Sequence, residues 1–157
     1  MSIAASERRD MSRTSVRSKG LDLRGACPLL QVFDMPASLA FYRDILGFEI
    51  IRSAPPGATE DRFGWAWLQH SDTEIMLNTA YDPDDVRPPQ PETRRVAAHG
   101  DTCLYIGAPD VDAVYDHLRA HGLNVKPPKT THYGMKQLYV TDPDGFGLCF
   151  QWEAKQR

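Results

Sequence analysis

The chain has 157 residues, 41% of them hydrophobic, with a formal net charge of -3 and a pI near 5.9. That length suits one domain with a real core, and the slight acidic balance supplies no broad positive field for nucleic acid. No run approaches the roughly 18 apolar residues of a membrane span, and Cys27, Cys103 and Cys149 are too few and too scattered for a disulfide scaffold. The expectation is a cytoplasmic protein with reduced thiols and neither nucleic-acid nor membrane partners.

Residues 1–24 carry Arg8, Arg9, Arg13, Arg17, Lys19 and Arg24 against Glu7, Asp10 and Asp22, with Ser and Gly and little apolar content. This composition predicts a disordered basic tail before one domain over 25–157. An organelle transit peptide is the alternative for such a start, but the acids and the lack of an amphipathic face speak against it. A plainer account is translation from a start upstream of Met11.

The run Cys27–Val32 reads as a buried strand ending at the helix cap Asp34. Pro36 to Leu46 gives a helix, with Leu39, Tyr42, Ile45 and Leu46 at helical spacing and Gly47 beyond its end. Phe48–Ile51 is read as strand and Ser53–Asp61 as loop. Trp65–Leu68 and Glu74–Asn78 are two strands joined at Ser71-Asp72. Module one thus covers 26–78, and the proline-bearing stretch 79–100 reads as an extended linker. Module two, 101–152, repeats the order. It has a strand Cys103–Ile106, a helix from Asp110 to Gly122, a short strand Leu123–Val125 and a loop at Pro127-Pro128. A strand Lys136–Val140, the turn Asp142–Gly145 and a last strand Leu148–Trp152 complete it. Cys27 and Asp34 recur 76 residues later as Cys103 and Asp110, so the plan is an α+β fold of two tandem βαβββ modules.

Strand alternation separates an aliphatic set, suited to packing under the helices, from a mixed one. The mixed set is Cys27, Leu29, Gln31, Trp65, Trp67, Met76, Asn78, Cys103, Tyr105, Tyr139, Cys149 and Gln151. Aromatic rings with a few polar groups suit a small-molecule cleft, though the same residues could serve as ordinary core or dimer interface.

The segment Asp34 with Ser38–Phe48, and the late Val140–Phe146, resemble the vicinal oxygen chelate superfamily of glyoxalases, extradiol dioxygenases and bleomycin resistance proteins. The resemblance runs from Ala26 to Trp152. It implies U-shaped, partly open sheets with helices on the outer face, and a homodimer whose subunits complete each other's clefts. Catalytic members hold a divalent metal with His, Gln or Glu; at the matching positions stand Cys27, Met76, Cys103 and Cys149. Neither the Lewis acid and carboxylate base of a glyoxalase nor the two His and one carboxylate of a dioxygenase is supplied. His70, His99, His117, His121 and His132 do not match ligand positions.

Two readings of the sulfur stay open. A metal-free binder can fill former ligand positions with Cys and Met, or the four can converge on a soft metal ion. Around them, Trp65, Trp67, Tyr105 and Tyr139 could stack on a planar or cationic organic molecule whose polar edge meets Gln31, Asn78 and Gln151. His132, Tyr133 and Met135 are candidate rim residues, or ordinary surface loop. The expectation is sequestration without metal, cofactor or catalysis, closest to the bleomycin resistance branch. The alternatives are a metal- or thiol-dependent lyase or isomerase and a purely structural interaction module.

Overall fold

The computed structural model describes residues 25–81 and 88–154; the expected basic tail lies outside them. The first module is β1 (Leu29–Val32), a helix, β2 (Glu49–Ala54), β3 (Trp65–His70) and β4 (Thr73–Thr79), in the sheet order β1-β4-β3-β2. The helix begins as α1 (Met35–Leu39) and continues as a π-helical stretch, Ala40–Ile45. The second module is β5 (Cys103–Gly107), α3 (Val111–Ala120), β6 (Lys129–Thr130), β7 (Met135–Thr141) and β8 (Gly147–Glu153), in the order β5-β8-β7-β6. In each, the first strand pairs parallel with the last and the others are antiparallel, so both expected βαβββ modules form. The two sheets share no strand pairing and neither is closed.

The repeat in sequence is a repeat in chemistry. Asp34 accepts a hydrogen bond from the Ala37 N–H at 3.2 Å, and Asp110 accepts one from Ala113 at 3.0 Å, each occupying an otherwise orphaned helix donor. Alternation then sends Leu30, Val32, Ala66, Leu68, Ile75 and Leu77 into the core, joined by Leu138, Leu148 and Phe150 of the second sheet. β1 starts two residues later than expected. Pro28 has no N–H to give the ladder, though its carbonyl still accepts from Met76 at 2.8 Å.

Two expectations are corrected. The connection 79–100 is not extended throughout, because Thr93–His99 forms a helix, α2. Seven residues are too few to show a helical period; docking holds α2 instead. Arg95 donates to the Gln31 carbonyl at 3.2 Å, and the His99 ring stacks on Phe146 at 4.0 Å while donating to the Asp144 carbonyl. Val96 sits against Gly145, whose φ of +92° only glycine adopts freely and whose added Cβ would lie 2.8 Å from the Val96 oxygen. Leu123–Val125, expected as a strand, makes no ladder. Val125 is buried as an apolar anchor, and the pairing with β7 falls to Lys129 and Thr130, beyond the two prolines.

The turn Asp142–Gly145 fastens the modules together. Asp142 accepts the Tyr42 hydroxyl on one oxygen at 2.8 Å and the N–H groups of Asp144 and Phe146 on the other. Asp144 accepts from the Phe33 N–H at 2.7 Å and the Ser38 hydroxyl at 3.3 Å. Both carboxyls are pushed upward in pKa, chiefly by burial. Opposite, the π-helical stretch buries the adjacent Phe41 and Tyr42 together, and His117 of α3 donates to the Ile45 carbonyl at 2.7 Å. No helix among the described residues is long and apolar enough to cross a membrane.

Candidate functional site

Register turns the mixed residues into ordered rows. Across the first sheet, Leu29, Met76 and Trp67 form one row and Gln31, Asn78 and Trp65 the next. Across the second, Tyr105, Cys149 and Tyr139 form one row, and Gly107, Gln151, Gln137 and Lys129 the next. The expected residues that lie in strands thus fall into two groups, one per module, while Cys27 precedes β1 and has no place in the register.

The first group is aromatic and partly exposed. Trp65 and Trp67 lie with ring centroids 6.4 Å apart, and the Asn78 amide turns to the Thr79 carbonyl at 3.1 Å. The Trp67 indole nitrogen is buried, with the Cys27 sulfur beside it. Cys27 stands beside Trp67, Met76 and Glu74; burial, then the Glu74 charge, raises its thiol pKa.

The second group is a polar chain under aromatic faces. The Tyr105 and Tyr139 hydroxyls meet at 3.2 Å, Tyr139 donates to the Gln137 carbonyl oxygen at 3.1 Å, and the Gln137 amide donates to Gln151 at 2.8 Å. With the Tyr139 proton committed to Gln137, its oxygen accepts from Tyr105. Tyr139 is the branch point of this chain, since its hydroxyl also contacts the Cys149 sulfur. Tyr105 and Tyr139 remain more than half exposed, presenting clean ring surface. Cys149 lies buried between them in the row, and Cys103 is exposed one row away.

Among the described residues a cavity of about 780 Å³ touches this group at Gln137 and Tyr139; of the other expected residues, Tyr105, Gln151, Cys149 and Cys103 of the second module and Cys27, Gln31, Trp65, Trp67, Met76 and Asn78 of the first do not line it. β7 contributes Gln137, Tyr139, Val140 and Thr141 to its wall, and the segment 123–133 supplies the rest, with His132 and Tyr133 among its lining. Met135, the third candidate rim residue, does not line it. Gln137, Lys126 and Lys129 were missed in the sequence reading. Gln137 could have been found two residues before Tyr139 on the same face; the lysines belong to a loop whose fold-back no periodicity reveals.

The sulfur residues do not converge as one set: Cys27 and Met76 belong to the first group, Cys103 and Cys149 to the second. Among the described residues no three His, Cys, Asp or Glu side chains are grouped so as to hold a metal ion. Burial raises the pKa of Cys103, and burial and the nearby Cys103 together raise that of Cys149, against a lowering contact from Tyr139. Thiols held protonated are weak soft-metal ligands and weak nucleophiles. The donor set does not fit the divalent metal of catalytic relatives.

These features define a vicinal oxygen chelate fold with an aromatic cleft. Residues 26–150 match the model of the Glyoxalase/Bleomycin resistance protein/Dioxygenase superfamily, and the chain belongs to that family. It is 28% identical over 128 residues to a lactoylglutathione lyase of Haemophilus influenzae, covering 78% of this chain and 87% of the relative. Among solved structures it resembles SMU.1112c, with a TM-score of 0.63 at 28% identity over 83% of this chain and all of that one. TnmS3, an antibiotic binding protein from Streptomyces sp. CB03234, shares the fold with a TM-score of 0.61, 22% identity and 86% coverage of this chain and 100% of that one.

Proposed function

We propose that this protein is a metal-free small-molecule binder, sequestering a flat organic molecule in the cleft of the second module. The observation that carries this reading is the cavity of about 780 Å³ against Tyr139 and Gln137, within the usual size range of ligand pockets. Its polar groups are fixed by the hydroxyl and amide chain, so a ligand would meet a preformed edge. The antibiotic-binding function of the structurally similar TnmS3 supports the same class. Leu29 and Tyr105, half exposed on the open faces, are suited to burial against a second copy, and we read the working unit as a homodimer.

A lyase or isomerase reading draws on the likeness to lactoylglutathione lyase. Its candidate bases are Glu74, near Cys27 in the first group, and His132, which lines the cavity of the second module; among the described residues neither belongs to a set of three side chains grouped to hold a metal ion.

The test is a thermal-shift screen of flat aromatic compounds against wild-type protein and Tyr139→Ala. A ligand at 100 times its Kd adds about 2.7 kcal/mol, a shift of several degrees in Tm, and Tyr139→Ala should abolish it. Stoichiometric metal in reduced protein purified without chelator, lost in Cys103→Ser/Cys149→Ser together with glutathione-dependent turnover of methylglyoxal, would overturn the binder reading.

A further inference from the structure

We propose that the ligand of this cleft is a planar organic anion, an aryl carboxylate or arenolate, met by the amines of Lys126 and Lys129 and the imidazole of His132. The inference rests on the cleft being a binding site and names the chemistry it selects.

The chain as a whole is acidic, yet none of the cavity's lining residues is Asp or Glu. The local sequence shows why: residues 117–141 contain Arg119, Lys126, Lys129, Lys136 and three histidines with no carboxylate at all. Within this run the lysines are used differently. Lys136, on β7, is neutralised by Asp112 of α3. Lys126 and Lys129 both line the cavity, and no ion pair is made by either among the described residues. Lys129 also continues the row Gly107, Gln151, Gln137, which points its side chain to the same face as the Tyr139 ring.

Two unneutralised amines at the rim of an acid-free pocket create a positive potential that attracts anions and repels cations. The cation–π option, open from the sequence, is therefore disfavoured here: a cation stacked on Tyr139 would also face these amines. A negative group at the loop side, with the ring system lying toward Tyr139 and Tyr133, satisfies both parts of the lining. Thr130 and Thr131 add hydroxyl donors at the same wall.

The experiment measures binding of three matched probes, 2-naphthoate, 2-naphthamide and 2-naphthylmethylammonium, to the full chain by calorimetry. Naphthoate should bind at least roughly tenfold more tightly than the amide, and the ammonium most weakly. Lys126→Gln and Lys129→Gln should each weaken naphthoate roughly fivefold and leave the amide unchanged. The preference should also shrink as NaCl rises from 50 to 500 mM. Both lysines are exposed, so folding is not at stake in either variant. Equal or tighter binding of the amide or the ammonium, or a naphthoate preference untouched by both substitutions, overturns the anion proposal while the cleft stands. Absence of binding by all three at millimolar concentration overturns the cleft reading itself.

Discussion

Removing one oxygen tests whether the two modules are fastened as described. Tyr42 is fully buried, and its hydroxyl donates to Asp142 across 100 residues of sequence. In Tyr42→Phe the ring contacts with Phe41 and Phe48 persist, since they do not involve the hydroxyl. What changes is one oxygen of a buried carboxylate, which loses its partner while the other keeps two backbone N–H donors. A hydrogen bond to a charged group is worth about 1.5–3 kcal/mol, and a buried acceptor left bare costs at the upper part of that range. The expected loss is therefore about 2–3 kcal/mol in urea unfolding, with the m-value unchanged because the surface exposed on unfolding is the same. A double-mutant cycle with Asp142→Ala sharpens the test: the pair are in contact, so the two losses should fall short of additive by at least about 1 kcal/mol. A Tyr42→Phe loss below about 0.5 kcal/mol, or simple additivity in the cycle, would refute the claim that this contact holds the modules.

Gly145→Ala should cost at least about 2 kcal/mol, from the left-handed backbone alone, and should expose α2 to limited proteolysis because its Cβ would meet the Val96 carbonyl. Asp142 and Asp144 are raised in pKa on folding, so the folded state binds the extra proton. Stability relative to Asp144→Asn should then increase as pH falls from 7 through the folded pKa values, being fully present below the unfolded value near 3.8; a decrease over that span in urea midpoints would reverse the assignment. Maleimide labelling at neutral pH should be slow at all three thiols and rise roughly tenfold per pH unit, with Cys103 modified first and Cys149 only on unfolding, as mass spectrometry of the labelled peptides would show.

Much of the architecture was legible because it rests on short-range rules. The caps Asp34 and Asp110, the alternation in each strand and the glycines after the helices act within a few residues, and the 76-residue repeat carries them twice. What could not be read depends on distant contacts. α2 is helical because Arg95, Val96 and His99 find partners on β1 and on the Asp142–Gly145 turn. The turn itself was legible as a turn, but its function in binding Tyr42, Ser38 and Phe33 was not, since nothing in its local sequence names its partners. The aromatic face was legible for the same reason as the core, by period two; the cavity was not, because most of its wall is the segment 123–133.

The two cleft groups divide the sulfur residues between the modules. A metal site needs donors that converge and that are deprotonated at neutral pH. Here the strand register puts Met76 in a row with Leu29 and Trp67, and Cys149 in a row with two tyrosines, so these two sulfurs lie beside rings of their own modules. Burial that raises a thiol pKa also makes cysteine a good apolar filler between aromatic side chains. In the second module that filler leaves the Tyr105 and Tyr139 rings standing clear of the sheet, their hydroxyls committed to each other and to Gln137. On the proposed binding reading these rings, which meet edge to face at 87°, form a wall that would hold a ligand by stacking on one ring and edge contacts with the other. Replacing Cys149 with Ser should accordingly weaken the wall by placing a hydroxyl in a dry position, lowering stability by about 1–2 kcal/mol in urea unfolding, whereas replacement with Ala should keep ligand affinity within roughly threefold. Equal loss of affinity in both variants would show that the sulfur contributes something beyond its volume.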